Sequence, residues 1–394
     1  MEYLMLRRWL FAVACLCLVL NLGCADEYRT IVDSRGVAVR VPMEIERVVT
    51  LSDGLIETTM LLLGEDEKIV GLGWSSMQKY WNFTYETVSG ETYEYRGGIH
   101  LVTYLSPRIR DLPVVAESGG VNYETLASLD PNLVILRVGD CGLPSMEDEG
   151  VQKTISTIEG LAIPVIVLKA HPCFDEPDLS TISDEIQIIG DIFGKEERAG
   201  EIADYLESQT QLVFERTKDI PEAERPNVLV FCALPPSQQT GGGVGMVRGT
   251  DTIESYLIEE IVHAKNAYTG TGSPVVSAEH LLAIDPDAIV LPPWYTYHPP
   301  EELYSAPYYQ NIGELSAVKN HRVFSLPRAG SNCARRYEYP IEVMVIAKAA
   351  YPERFEDIDL AEWLLEFYGD LYGVDRATAE ELRSAQYMDW CVEG

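Results

Sequence analysis

Apolar residues recur along this chain in two patterns: short unbroken runs, and longer amphipathic stretches with leucine, isoleucine or alanine three or four positions apart. The unbroken runs are RVVTL from Arg47, KIVGL from Lys68, LPVVA from Leu112, NLVIL from Asn132 and IPVIVL from Ile163. A second set follows, with NVLVF from Asn227, AIVL from Ala288 and RVFSL from Arg322. Such runs read as strands buried on both faces, the condition of parallel sheets covered by helices. Helical stretches separate most of them, for example GLIETTMLLLG, which closes at Gly64 as helices often do. The pattern predicts an α/β fold.

One supersecondary unit is written twice. NYETLASLDPNLVIL spans 122–136 and SAEHLLAIDPDAIVL spans 277–291. Asn122 and Ser277 are helix caps, because a short polar side chain accepts a bond from a free backbone N–H of the first turn. A short helix follows, and Asp130-Pro131 or Asp285-Pro286 ends it, since proline restricts the residue before it and cannot continue the ladder. Each copy then closes in a buried strand, so the repeat predicts two similar lobes. Between them, GKEERAGEIADYLESQTQLVFERTKDIP reads as one helix of roughly 20 residues, stopped by Pro221. This divides the chain into a first lobe at 26–190, a linking helix at 191–221 and a second lobe at 222–394. The tail is helical and packs Met344, Ile346, Trp363, Leu364 and Phe367 against something apolar. Residues 78–110 form a tyrosine-dense insert too long for a plain loop.

Composition sharpens this picture. With 394 residues and 46% hydrophobic content, two cores are affordable. A formal charge of -32 argues against nucleic acid, whose phosphates need clustered cations. The first 25 residues hold Arg7-Arg8, an apolar run from Trp9 to about Leu20 and then small residues, the build of a secretory signal. Cys24 fits a lipidation site, and Gly23-Cys24-Ala25 also fits plain cleavage after Ala25. Past the leader, Cys141, Cys173, Cys232, Cys333 and Cys391 show no CxxC pair, which disfavours zinc. Cys141 and Cys173 each follow a strand of the first lobe, and either a disulfide between them or two free thiols fits that position.

Ligands of open α/β sheets bind beyond the carboxyl ends of the strands. That rule selects Ser52, Trp74, Ser75, Arg137 and His171 in the first lobe, and Trp294, Tyr295, Arg328, Arg335 and Arg336 in the second. Arg248 and Tyr80 join them, the first as a scarce cation and the second as an aromatic of the insert. Arginine grips anionic oxygens bidentately at any ordinary pH, while salt bridging to nearby acids is the plain alternative for each. Trp74, Tyr80, Trp294 and Tyr295 offer stacking surfaces, and ordinary packing explains each one equally well. The glycine-rich TGGGVGMVRGT lacks the lysine of a phosphate loop and reads as a flexible turn. Six scattered histidines do not make a bare-metal site, which favours a ligand that brings its own chelator. A hydrolase using Ser52 or Ser75 is disfavoured, because no GxSxG elbow exists.

The segment IVDSRGVAVRVPMEIERVVTLSDGLIETTMLLLGEDEKIVGLGWSS, the two repeat units, the long helix and the ending from LPRAG to LLEFYGDLYG together resemble the iron-complex and cobalamin type of ABC-transporter substrate-binding proteins. The likeness covers nearly the whole chain after the leader. It implies two Rossmann-like lobes joined by a single rigid helix, with a ligand cleft between them and no catalysis. It implies capture of an iron-siderophore or similar metal chelate and its delivery to a permease dimer with its ATPase. A corrinoid or haem is the alternative cargo, with Tyr80 or His171 as axial ligand for haem. It also implies a docking role for Glu124 and Glu279, one per lobe, on permease arginines. A carboxylate in a first helical turn is stabilising without any partner, though that explains neither their matching nor their spacing. A surface sensor without a permease is the remaining reading.

Overall fold

The computed structural model describes residues 28–86, 92–117, 120–139, 142–174, 178–239, 241–294, 296–328 and 336–392. The first sheet runs in the order Val165–Lys169, Leu133–Val138, Val48–Leu51, Ile69–Leu72, all parallel. Val48–Leu51 and Leu133–Val138 are buried at every position, as unbroken apolar runs require. LPVVA forms no full strand, since Val114 makes only a single bridge to Leu72 at the sheet edge. Pro113 has no N–H to donate and contributes only its carbonyl, accepting from Leu72 N.

The second sheet centres on Asn227–Ala233, which pairs in parallel with Ala288–Leu291, itself parallel to Val323–Ser325. On its other side it is mixed: Gly243–Val247 runs antiparallel to Asn227–Ala233, and Val275–Ser277 antiparallel to Gly243–Val247. Within the glycine-rich segment expected as a flexible turn, Gly241 and Gly242 do turn, with left-handed φ of 64° and 83°, but Gly243–Val247 is a strand. Its Gly245 serves close approach: a Cβ there would sit 2.3 Å from the Phe231 ring and 2.6 Å from the Cys232 carbonyl.

The repeat appears as written. Asn122 accepts from Thr125 N at 3.0 Å and starts the helix Tyr123–Ser128; Ser277 accepts from His280 N at 3.2 Å and starts Ala278–Ile284. Asp130 and Asp285 both turn the chain with left-handed φ of 46° and 41°. The strands that follow each have parallel neighbours on both sides.

The long helix is Glu196–Thr217, preceded by a separate helix Ser180–Phe193 that ends at left-handed Gly194. Residues 191–193 thus close the preceding helix, and Gly194 and Lys195 form the turn into the strut. The long helix packs on Ser180–Phe193 and on Tyr339–Ala350. Gly190 lets the first contact close, because a Cβ there would meet the Ala199 Cβ at 2.4 Å. At the other end Arg216 holds Asp357 bidentately at 2.6 and 2.9 Å. Met344, Ile346, Trp363, Leu364 and Phe367 are all buried, in an apolar cluster shared with residues of both sheets.

The tyrosine-dense insert contains an antiparallel ribbon, Trp81–Glu86 with Thr92–Gly98. Although it belongs to the first half of the chain, it is fastened to the second. Tyr85 Oη accepts from Tyr297 N and donates to Tyr297 O, both at 2.9 Å. Tyr95 stands edge-on to Tyr297, and Tyr387 stacks on Tyr297 at 4.6 Å while accepting from Gly98 N.

Arg137 is a correction. It lies inside Leu133–Val138, has no exposed surface, and is bidentate to Glu185 with both contacts at 2.6 Å, so it is a core ion pair rather than a ligand contact. Removing one member strands a buried charge. Glu185→Ala is expected to lower unfolding stability by about 3–5 kcal/mol in urea titration, and the double change Arg137→Met with Glu185→Leu to restore most of it.

Candidate functional site

The turn after Val48–Leu51 builds the first half of the site. Ser52 is fully buried and its Oγ accepts from Gly54 N at 3.3 Å and Ile56 N at 3.4 Å, so it braces the turn into the helix Leu55–Leu62, whose N-cap is Gly54. Gly54 takes φ 116°, a left-handed value that suits glycine, and a Cβ there would lie 3.4 Å from the Arg336 side chain. Asp53, between them, accepts from Ser76 Oγ at 2.9 Å and from Arg336 Nη2 at 2.7 Å.

Arg336 therefore spans from the second half of the chain to the first. Its Nη1 lies 3.1 Å from Nδ1 of His100, the residue preceding the helix Leu101–Leu105. Arg328 stands beyond Val323–Ser325, with its backbone N–H donating to Gln386 O at 2.8 Å. Its Nη1 donates to the carbonyls of Trp294, at 2.6 Å, and Pro293, and its guanidinium lies 4.4 Å from the Trp81 ring centroid. The indole of Trp81 also meets the His100 ring edge-on at 4.6 Å.

All four polar side chains are nearly enclosed: Arg328 and His100 are 4% exposed, Asp53 and Arg336 5%. Burial, then the charge of Arg336, pulls the Arg328 pKa down to about 10, which still leaves it a cation at neutral pH. Burial, followed by Arg336 and Arg328, holds the His100 imidazole well below its ordinary range and hence neutral. Glu338, also buried, has its carboxyl pushed up by desolvation against the pull of Arg336. Among the described residues, two buried guanidiniums thus lie beside the carboxylate of Asp53, an arrangement chemically suited to anionic oxygens. Among the described residues no group of three or more His, Cys, Asp or Glu is placed to hold a metal.

The other expected residues divide. Trp294 borders the site, with Arg248 stacked on its ring at 4.6 Å; Arg248 also pairs with Glu254 at 3.0 Å. Trp74 packs over Gly142, where a Cβ would clash at 1.9 Å, and Ser75 opens the short turn Ser75–Gln78, whose Ser76 makes the contact to Asp53. Tyr80 is 51% exposed and holds Arg110; it lines a separate outer cavity of about 850 Å³ with Arg96 and Arg383. His171 is buried in the turn after Val165–Lys169. Tyr295, Arg335, Cys141 and the Cys24 leader lie outside the described residues. Cys173 carries a free thiol, its pKa raised by burial. Glu124 and Glu279 are exposed in the first turns of their capped helices.

Sequence reasoning missed His100 and Trp81, whereas Asp53 and Ser76 lie in strand-end loops that the carboxyl-end rule selects. The tyrosine-dense insert was noticed, but its two ends, which deliver Trp81 and His100, carried no periodic signal.

The fold and this inter-half site define a two-lobed binding protein. The chain belongs to the periplasmic binding protein family, whose model matches residues 48–329. It is 23% identical over 290 residues to the molybdate-binding protein MolA of Haemophilus influenzae, covering 68% of this chain and 74% of that protein. It is 25% identical over 239 residues to an uncharacterized ABC transporter substrate-binding lipoprotein, YvrC, of Bacillus subtilis, covering 60% of this chain and 67% of that one. Among solved structures, a periplasmic solute binding protein from Veillonella parvula superposes with a TM-score of 0.70 at 21% identity, covering 93% of this chain and 98% of its own. MolA bound to molybdate gives 0.63 at 20% identity, covering 88% and 98%. The protein is a substrate-binding component of an ABC transporter, a class that carries cargo rather than transforming it. Among the described residues no helix is long and apolar enough to cross a membrane.

Glu57, on the helix that follows Asp53, is fully buried and its carboxyl is pushed up by desolvation, with Asp53 adding to the rise. A raised acid stabilises the fold below its unfolded pKa and loses that contribution as pH climbs through the folded value. Glu57→Gln is therefore expected to match the parent protein in thermal unfolding near pH 4 and to exceed it in Tm at pH 8.

Proposed function

We propose that this protein captures a metal-centred anion, either a ferric chelate with anionic oxygens or a metal oxyanion, and delivers it to a membrane permease. The observation that carries this reading is the pair of enclosed guanidiniums, Arg328 and Arg336, set against one carboxylate in a chain whose formal charge is -32. Arginine is weakly hydrated for a cation and offers fixed N–H forks, so an enclosed pair rewards a ligand with several oxygen acceptors. The resemblance noted in the sequence supports the ferric chelate, and the molybdate bound by MolA supports the oxyanion. Both present the same chemistry to the two arginines.

Export by the leader, with anchoring through a lipid on Cys24, accords with the lipoprotein description of the Bacillus relative. Docking through Glu124 and Glu279 accords with their exposure and matched capping. Two like charges on repeated units complement a symmetric pair of basic pockets and orient the encounter.

Trp81 and Trp294 touch Arg328, so intrinsic fluorescence reports on the site. The chain from Asp26 onward, titrated with a ferric tricatecholate, a ferric hydroxamate, molybdate, cyanocobalamin and haemin, is expected to bind one of the anionic ligands saturably at submicromolar concentration. Arg336→Lys, which keeps the charge but loses the fork, is expected to weaken it by about tenfold or more. Binding confined to cobalamin or haemin and indifferent to Arg336→Lys would overturn the anion reading. With the cognate permease in proteoliposomes, Glu124→Arg with Glu279→Arg is expected to abolish uptake while leaving ligand affinity unchanged; unaltered uptake would remove the docking role.

A further inference from the structure

His100 is more than a prop for Arg336. Arg336 Nη1 lies 3.1 Å from His100 Nδ1, and a guanidinium only donates, so Nδ1 is the acceptor. A neutral imidazole whose Nδ1 accepts carries its proton on Nε2. That Nε2 is buried and has no hydrogen-bond partner. Arg328 Nε is in the same condition, and both side chains pack on the Trp81 ring, the guanidinium at 4.4 Å and the imidazole at 4.6 Å. Buried donors are nearly always bonded, so two unbonded ones around one indole mark a place built to be filled.

Resting on the anion reading, we propose that His100 Nε2–H and Arg328 Nε–H are ligand donors, and that together with Arg336 they admit only a ligand whose facing oxygens are all unprotonated. None of the three groups accepts a hydrogen bond in this arrangement, and the neighbouring carboxylate, Asp53, is engaged by Arg336 and Ser76. A ligand turning a hydroxyl or ammonium hydrogen toward them meets donors against donors. The same geometry argues against His100 as a metal ligand, because the Nε2 lone pair is occupied by the proton. Specificity of this kind is strong, since a mismatched buried donor is left unpaired.

The test uses the soluble chain, with molybdate and a ferric tricatecholate as probes. His100→Leu, which removes the donor, is expected to weaken the bound probe by about tenfold, the equivalent of about 1.4 kcal/mol. His100→Gln, which restores an N–H in a similar place, is expected to recover most of that loss. In protein labelled with 15N-histidine, the His100 ring, assigned from the Gln variant, is expected as the neutral Nε2–H tautomer, and its Nε2 resonance to shift when the probe is added. A Nδ1–H tautomer in the free protein, or an unmoved resonance with full affinity in His100→Leu, would overturn the proposal. Should Arg336→Lys weaken binding while His100→Leu does not, this inference alone falls. Should the parent protein bind neither probe, the anion reading falls and takes the inference with it.

Discussion

The contact between Arg336 and Asp53 at 2.7 Å is the constraint around which the site is organised. It joins residues from opposite halves of the chain, and both partners are buried. Such a pair is rarely a net source of stability, because desolvating two charges offsets most of their attraction. Its contribution is geometric. Asp53 is held from the other side by Ser76, and Arg336 also reaches His100, so one ion pair fixes four side chains. The adjacent Tyr337 donates to Thr59 Oγ1 at 2.8 Å, which carries the same stitch into the helix behind Asp53.

The ribbon Trp81–Glu86 with Thr92–Gly98 adds a second tie. A two-stranded ribbon is marginal alone, and this one draws its order from the tyrosines it packs against. Tyr85 with Tyr297, and Tyr387 with Trp81 and Gly98, fasten it to the second half. Trp81 consequently stands where Arg328 and His100 both meet its ring. The aromatic wall and the cationic pair arise from the same packing, so a change in the ribbon would propagate to the candidate site without touching an arginine.

Much of the sheet framework was legible because its signals are local. Unbroken apolar runs, a helix cap and an Asp-Pro stop each act within a few residues, and the duplicated unit repeats all of them. Where a nonlocal contact decided, the sequence reading went astray. LPVVA has the composition of a strand but only one bridge at the sheet edge. The run of glycines looked flexible, whereas Gly245 is there to let Phe231 approach. Arg137 looked like a strand-end cation, and its partner Glu185 lies on a helix 48 residues away. The candidate site was half visible for the same reason: Arg328, Arg336 and Trp294 follow strand ends, whereas His100 and Trp81 come from the ends of an insert whose position depends on distant tyrosines.

The charge of the molecule and the charge of the site have opposite signs, and distance reconciles them. At physiological salt the surface field decays over about 8 Å, so an approaching anion feels the -32 only near contact. Inside, Arg328 and Arg336 are enclosed and poorly screened, and their attraction acts over a short range in a low-dielectric setting. Weakly bound or poorly shaped anions gain nothing from such a site, because they must first shed water and cross a repulsive surface. A ligand repays that only by satisfying several of the enclosed donors at once. On the proposed anion reading, the acidic surface therefore works with the cationic interior, making selection depend on how many donors a ligand fills rather than on its charge alone.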